Sequence, residues 1–318
     1  MTSPVELQFR TTDIDGIERT YWIPGDQPRA PAPLLIAFHG LGMTGRKLAL
    51  WTGLAERGPA AGFATAFPDA LGRVWDDHGT VRRDGGDDIA FLETLITRLR
   101  NTGAAGDRPV FLVGLGGGAA FAERVARTAA VDVAGLALVA GTAREASRTR
   151  TPAPLRPAAL VAILGTADKS FPFAGGRSRS RFRRQASLRV RLALADTSGH
   201  EVVAAQTLLE DWTQVNGIAG EPAVARLDPA DGDPVVTRLT WADPADPGTA
   251  AAPAAPPVVL YRLEGSGHAW PGARQGPTAR VLGRIPTQFD ATEAILEFAR
   301  RTLNLEDEAT PAAPTERP

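Results

Sequence analysis

Three stretches of this 318-residue chain carry groups able to move a proton or hold a negative charge, and they occur in a fixed order. The first is the glycine-rich run Val113-Gly114-Leu115-Gly116-Gly117-Gly118-Ala119, the second Gly165-Thr166-Ala167-Asp168, and the third Gly265-Ser266-Gly267-His268-Ala269-Trp270-Pro271-Gly272. An unperturbed imidazole titrates near ~6.5, so His268 is the natural proton acceptor, and a carboxylate such as Asp168 would orient it and stabilise its cation. The glycine run offers backbone N–H groups but no hydroxyl or thiol. A further turn, His39-Gly40-Leu41-Gly42, lies upstream and can supply more donors. The chemistry this set supports is general acid–base catalysis with hydrogen-bond stabilisation of an anion.

Each of these turns follows an apolar run fit to be a buried parallel strand: Leu34 to Phe38, Val110 to Val113, Ala159 to Leu164 and Val258 to Leu263. Ala64 to Phe67 and Val133 to Val139 are two more such runs. Between them the apolar spacing turns helical. Leu48, Trp51, Leu54 and Ala55 share one face, as do Ile89, Leu92, Ile96 and Leu99 behind an expected cap at Asp88. Ala119 to Ala130 and His200 to Asn216 read as helices, the latter ending at Gly217, and Asp290-Ala291-Thr292-Glu293 is a capping-box pattern opening the last helix. Glu6 to Arg10 and Arg19 to Ile23 read as an opening hairpin turning at Asp15-Gly16. Strands alternating with helices predict an α/β fold, a doubly wound, mostly parallel sheet with helices on both faces.

The order of motifs resembles the α/β-hydrolase fold, and within it the polyhydroxybutyrate depolymerase and feruloyl-esterase group. The resemblance runs from about Arg19 to Leu303. It rests on the His39-Gly40 loop, Ala66-Phe67-Pro68-Asp69, Asp87-Asp88-Ile89-Ala90-Phe91-Leu92, the glycine turn, Gly165-Thr166-Ala167-Asp168 and, most specifically, Gly267-His268-Ala269-Trp270-Pro271-Gly272. In such proteins the glycine turn is the nucleophile elbow G-x-S-x-G, followed in sequence by the acid and then the histidine. Here it reads Gly114-Leu115-Gly116-Gly117-Gly118, so glycine stands where the resemblance implies the serine. The resemblance implies Asp168 and His268 as acid and base. It also implies an oxyanion hole from the N–H groups of Leu41 and Gly117. Hydrolysis through an acyl-enzyme does not carry over without the hydroxyl.

Trp75-Asp76-Asp77-His78 follows the Asp69 strand end, on the edge where open α/β sheets place their sites. Asp76 or His78 is a candidate second acid or base, and Trp75, Trp270 and His39 are candidate pocket lining, with His39 also a loop-shaping residue. The Asp76-Asp77-His78 cluster lacks a diagnostic ligand spacing, so no metal is expected, and no other cofactor is implied. Seven arginines between Arg177 and Arg191 suit a solvated loop or lid, not a nucleic-acid surface, because the net charge is only −1 and one aromatic residue, Phe182, is interleaved.

The chain contains no cysteine, which excludes disulfides and Cys-ligated metals. No apolar run reaches the ~18 residues of a membrane span. The first residues lack a basic stretch followed by an apolar core, so a cytoplasmic location is expected. We expect one domain over 1–305, with insertions near 144–157, 174–191 and 242–257, and a disordered tail over 306–318. The functional expectation is a nucleophile-free enzyme acting on an organic small molecule by non-hydrolytic acid–base chemistry, a type suited to specialised metabolism. Two alternatives stand beside it: a catalytically inactive protein that keeps the pocket for a ligand or partner, and a weak esterase whose histidine activates water.

Overall fold

The buried apolar runs assemble into the middle of one large sheet. The structure is a computed structural model, which describes residues 5–28, 31–78, 86–150, 156–177, 201–227, 229, 232–242, 255–273 and 284–305. Six parallel strands form its centre, in the order β4 (Ala64–Pro68), β3 (Leu34–Phe38), β5 (Val110–Leu115), β6 (Val133–Val139), β7 (Ala159–Gly165) and β12 (Val258–Leu263). Strands β3, β4, β5 and β7 are buried at every residue, as continuous apolar runs must be when helices cover both faces.

Antiparallel strands extend both edges. On one side the hairpin β1 (Leu7–Ile14) and β2 (Ile17–Pro24) joins through β2 to β4, turning at Asp15 and Gly16. Both turn residues have positive φ, 51° and 80°, the pattern of a two-residue hairpin whose twist matches its strands. On the other side β11 (Val236–Trp241) pairs with β12, and β10 (Ala223–Leu227) with β11. These two strands have no counterpart in the sequence reading. Most of their residues are exposed or half-buried, so no apolar period marks them. Beyond the main sheet, β8 (Gly176–Arg177) and β9 (Glu201–Val202) form a short separate pair.

The helices cover both faces. Helices α1 (Gly45–Thr52), α2 (Leu54–Ala60) and α7 (Ala291–Thr302) pack through Leu48, Leu54 and Ile295 onto one of them. Helices α3 (Asp88–Asn101), α4 (Gly117–Thr128) and α6 (Ala205–Val215) pack through Leu92, Phe121 and Leu208 onto the other. A short helix, α5 (Glu145–Arg150), follows β6. The chain winds from β3 out to β4 and returns to the far side of β3 at β5. The crevice at the carboxyl ends of β3 and β5 is therefore a topological switch point, where ligands bind in such sheets.

Two local expectations are corrected. Helix α3 is capped by Asp87, whose side chain accepts from the N–H groups of Ile89 and Ala90. Asp88 turns inward instead, where its Oδ1 lies 2.6 Å from Arg19 and its Oδ2 accepts from the Asp76 N–H at 2.8 Å. The helix expected from His200 begins at Ala205, because Glu201 and Val202 pair with β8. The inserted stretches and the tail fall partly or wholly outside the described residues, at 151–155, 178–200, 243–254 and 306–318, and so does most of the arginine-rich segment. Among the described residues no helix is long and apolar enough to cross a membrane.

The Arg19–Asp88 pair is buried, and it fixes the hairpin and the Asp76 loop to the start of α3. Removing one member of a buried pair strands the other charge away from water, at a cost of about 3–5 kcal/mol. Asp88→Ala is expected to lower the unfolding free energy by about that amount in urea titrations, and Arg19→Met with Asp88→Leu to recover much of the loss.

Candidate active site

Strand β5 ends and α4 begins within one turn, and steric contact dictates the glycines there. A Cβ at Gly114 would strike Gly118 and Ala119, and one at Gly118 would strike the carbonyl groups of Phe38 and His39. Helix α4 thus sits directly on the end of β3, with no room for side chains. Gly116 adopts φ 56° and ψ −113°, a backbone conformation in which glycine costs least, and its N–H donates to Val139 O at 2.9 Å. A Cβ at Gly116 would meet no backbone this closely. It would stand 3.0 Å from Cε1 and Nε2 of His268. The position that the sequence leaves without a hydroxyl therefore faces the imidazole.

Two loops stitched together hold that imidazole. After β7, the Thr166 N–H donates to Leu263 O at 3.0 Å and the Ala167 N–H to Ser266 O at 2.9 Å. In return the Gly265 N–H donates to Thr166 Oγ1 at 2.8 Å. A Cβ at Gly165 would strike the Ser266 and Gly267 carbonyls, so this packing requires glycine. His268 Nδ1 then lies 2.8 Å from Oδ2 of the buried Asp168. The other carboxylate oxygen accepts from the N–H groups of Ser170 and Phe171, at 2.7 and 3.0 Å. An ionised carboxylate only accepts, so the proton belongs on Nδ1 and Nε2 is left as the acceptor directed at Gly116. The Phe171 ring lies nearly parallel to the imidazole, 6.1 Å between centroids, and the Arg144 guanidinium lies 4.5 Å from the Phe171 centroid. The His268 side chain remains 22% exposed and open to a ligand.

The candidate oxyanion donors lie in the segments that follow β3 and β5, on the two sides of the switch point. Gly117 is the first residue of α4, so its N–H is one of the donors that a helix leaves without an intrahelical acceptor. Leu41 is an exposed residue of the loop after β3, and that loop lies against the elbow: a Cβ at Gly40 would be 3.2 Å from Leu115 Cδ2. His39 organises the same loop from within. Its Nε2 accepts from the Ala70 N–H at 3.0 Å, so Nδ1 carries the proton and donates to Gly40 O at 2.9 Å. Burial, opposed by the Gly40 bond and by Asp69, lowers its pKa to about 4, and it is a neutral loop brace.

Other residues named from the sequence lie elsewhere. Trp75 is buried, stacked on Phe121 at 4.9 Å, with its Nε1–H donating to His39 O, so it supports the site from below and does not wall it. Trp270 is buried in the opposite core and donates to Thr292 Oγ1 at 2.9 Å. Asp76 turns toward Arg124 at 3.2 Å, and His78 is buried beside Asp77 at 3.0 Å.

The member of that loop that reaches the elbow is Asp77. Its Oδ2 would lie 3.8 Å from a Cβ at Gly117 and accepts from Arg144 Nε at 2.9 Å. Burial raises its pKa, but Arg144 and His78 outweigh burial and hold the carboxyl well below the usual range. Asp77, Arg144 and Phe171 carry no sequence signal that singles them out. Among the described residues no group of three or more His, Asp or Glu side chains is placed to hold a metal ion.

Comparison with known proteins bears on the fold. The structure superposes on the acetyl xylan esterase from Aspergillus awamori with a TM-score of 0.56, covering 92% of this chain and 99% of that one at 14% identity. The chain has the α/β-hydrolase fold. In sequence it is esterase-like: it is 27% identical over 309 residues to the Nocardia uniformis subsp. tsuyamanensis protein named "Putative esterase NocK", spanning 91% of this chain and 81% of that protein. No family model matches it.

Two outcomes follow from the geometry. Folded His39 titrates near 4 and the unfolded side chain near 6.5, so the unfolded state binds the extra proton between these values. The His39 contribution is complete above pH 6.5 and is lost as pH falls toward 4, about 3 kcal/mol in all. Urea titrations across this window should show that loss, and His39→Asn should flatten it. Gly116→Ser places a side chain at positive φ against the imidazole. It is expected to lower stability by about 1–3 kcal/mol in the same assay.

Proposed function

We propose that this protein is a cofactor-independent enzyme that carries out non-hydrolytic acid–base chemistry on a carbonyl-containing organic small molecule. The observation that carries this reading is the pairing of an intact base with an absent nucleophile. His268 Nε2 faces Gly116 while Asp168 holds Nδ1. A vestigial pocket has no need of this bond, of the two backbone N–H groups that fix the second carboxylate oxygen, or of the three hydrogen bonds joining the two loops.

In this reading the substrate carbonyl oxygen lies between the Leu41 and Gly117 N–H groups. His268 Nε2 takes a proton from the carbon next to that carbonyl. The electron pair of the broken C–H bond moves into the carbonyl, and the resulting enolate oxygen is held by the two donors. Asp168 keeps the imidazolium in place until the proton is returned to the product. An enolate formed in this way leads to elimination, cyclisation, carbon–carbon bond formation or cofactor-free oxygenation, according to the substrate. Acyl-enzyme hydrolysis would need an attacking group at residue 116, and Gly116 carries none where a first side-chain atom would stand 3.0 Å from the imidazole.

Exchange of the methyl protons of acetophenone in D2O, followed by NMR, tests the step without the natural substrate. The protein is expected to accelerate exchange, and His268→Ala to reduce the acceleration about 10²–10⁴-fold. Intact mass after fluorophosphonate treatment should show no adduct. A stoichiometric adduct, or p-nitrophenyl acetate turnover without any acetophenone exchange, would return the protein to hydrolysis.

A further inference from the structure

The loop that follows β6 packs against the elbow. A Cβ at Gly141 would strike the Gly116 carbonyl, and Ala140 O lies 3.9 Å from the Cβ position of residue 116. Arg144 stands in this loop immediately before α5, and its backbone forms a β-bridge with Val202. Its side chain lies beside the site. Nε donates to Asp77 Oδ2 at 2.9 Å, and the guanidinium carbon lies 4.5 Å from the Phe171 centroid. The His268 ring lies 6.1 Å from that same centroid. The guanidinium and the imidazole are therefore separated by no more than the sum of these two distances.

Asp77 holds Arg144 without using its whole fork. The carboxylate engages Nε alone, and a guanidinium has further N–H donors on Nη1 and Nη2. Among the described residues no acceptor meets either of these two nitrogens. Neither is among the unpartnered polar atoms that the fold seals from solvent, and the side chain is 12% exposed, so both terminal nitrogens reach solvent. The bond to Asp77 and the contact with Phe171 fix the guanidinium in advance, so an anion that meets it orders little further side-chain freedom. His268, on the same aromatic ring, is also open to a ligand.

We propose that Arg144 determines specificity, its Nη1 and Nη2 binding a carboxylate carried by the substrate at the end away from the reacting carbonyl. The two nitrogens present N–H groups side by side, spaced to meet the two oxygens of one carboxylate. Asp77 stays on Nε, so the guanidinium stands between the two anions and is closer to each than they are to one another. A neutral amide of the same outline offers one acceptor oxygen and no charge, and is bound less well. The substrate class is a keto acid whose carboxylate lies about one aromatic ring away from the carbonyl. This inference rests on the carbonyl-binding reading of the preceding subsection.

The test compares the affinities of 4-acetylbenzoate and 4-acetylbenzamide for the full chain by ligand-observed NMR titration. The acid is expected to bind at least about tenfold more tightly than the amide. Arg144→Gln removes the charge and the fork and should bring the ratio to near one. Should Arg144→Gln fail to fold with Asp77 left unpaired, Arg144→Gln combined with Asp77→Asn removes both charges together and decides. Equal binding of the two compounds by the unaltered protein overturns the subsite and leaves the acid–base reading standing, because acetophenone exchange tests that reading separately. A preference for the acid that survives the loss of Arg144 also overturns the subsite. Binding of neither compound overturns both the subsite and the carbonyl-binding reading.

Discussion

The close approach of α4 to the ends of β3 and β5 is the constraint around which the site is arranged. Atoms of Gly114, Gly118 and Gly141 lie where side chains would collide with neighbouring backbone, so strand, turn and helix are locked together. That lock presents the Gly117 N–H at the head of a helix and aims residue 116 at His268. Geometry of this kind does not depend on a hydroxyl at position 116. The elbow can therefore retain its shape and its alignment with His268 without a side chain at position 116.

Around this lock, the loops at the carboxyl edge of the sheet are held by buried polar pairs instead of apolar packing alone. Asp88 joins Arg19 to the Asp76 backbone, His39 joins the loop after β3 to the Ala70 turn, and Asp77 joins Arg144 to His78. The two charged pairs among them add little net stability, because desolvation offsets much of their attraction. They add definition. Each ties a loop at the carboxyl edge of the sheet to a partner from another part of the chain.

The contrast between the two histidines shows how environment divides their roles. His39 has both ring nitrogens engaged by backbone groups and is buried, so it is held neutral and unable to exchange a proton with a ligand. His268 has one nitrogen on a carboxylate and the other directed at an open position. The same side chain is a neutral brace in one loop and, in the other, directs a ring nitrogen at position 116.

Much of the fold was legible in the sequence. Fully buried parallel strands read as unbroken apolar runs, the Asp15-Gly16 turn announces its hairpin, and the Asp290 cap opens α7. The pairing of Asp168 with His268 was legible too, because each follows such a strand directly. The strands β10 and β11 were not, since exposed residues carry no period. The tertiary structure also decided which of Asp76, Asp77 and His78 faces the elbow, that Asp88 turns inward while Asp87 caps, and that Trp75 and Trp270 belong to opposite cores. The physical reason is common to these cases. A strand's burial is written along the strand itself, whereas the direction of a loop side chain is set by partners such as Arg124, Arg144 and Arg19, which lie dozens of residues away and meet it only when the sheet is assembled.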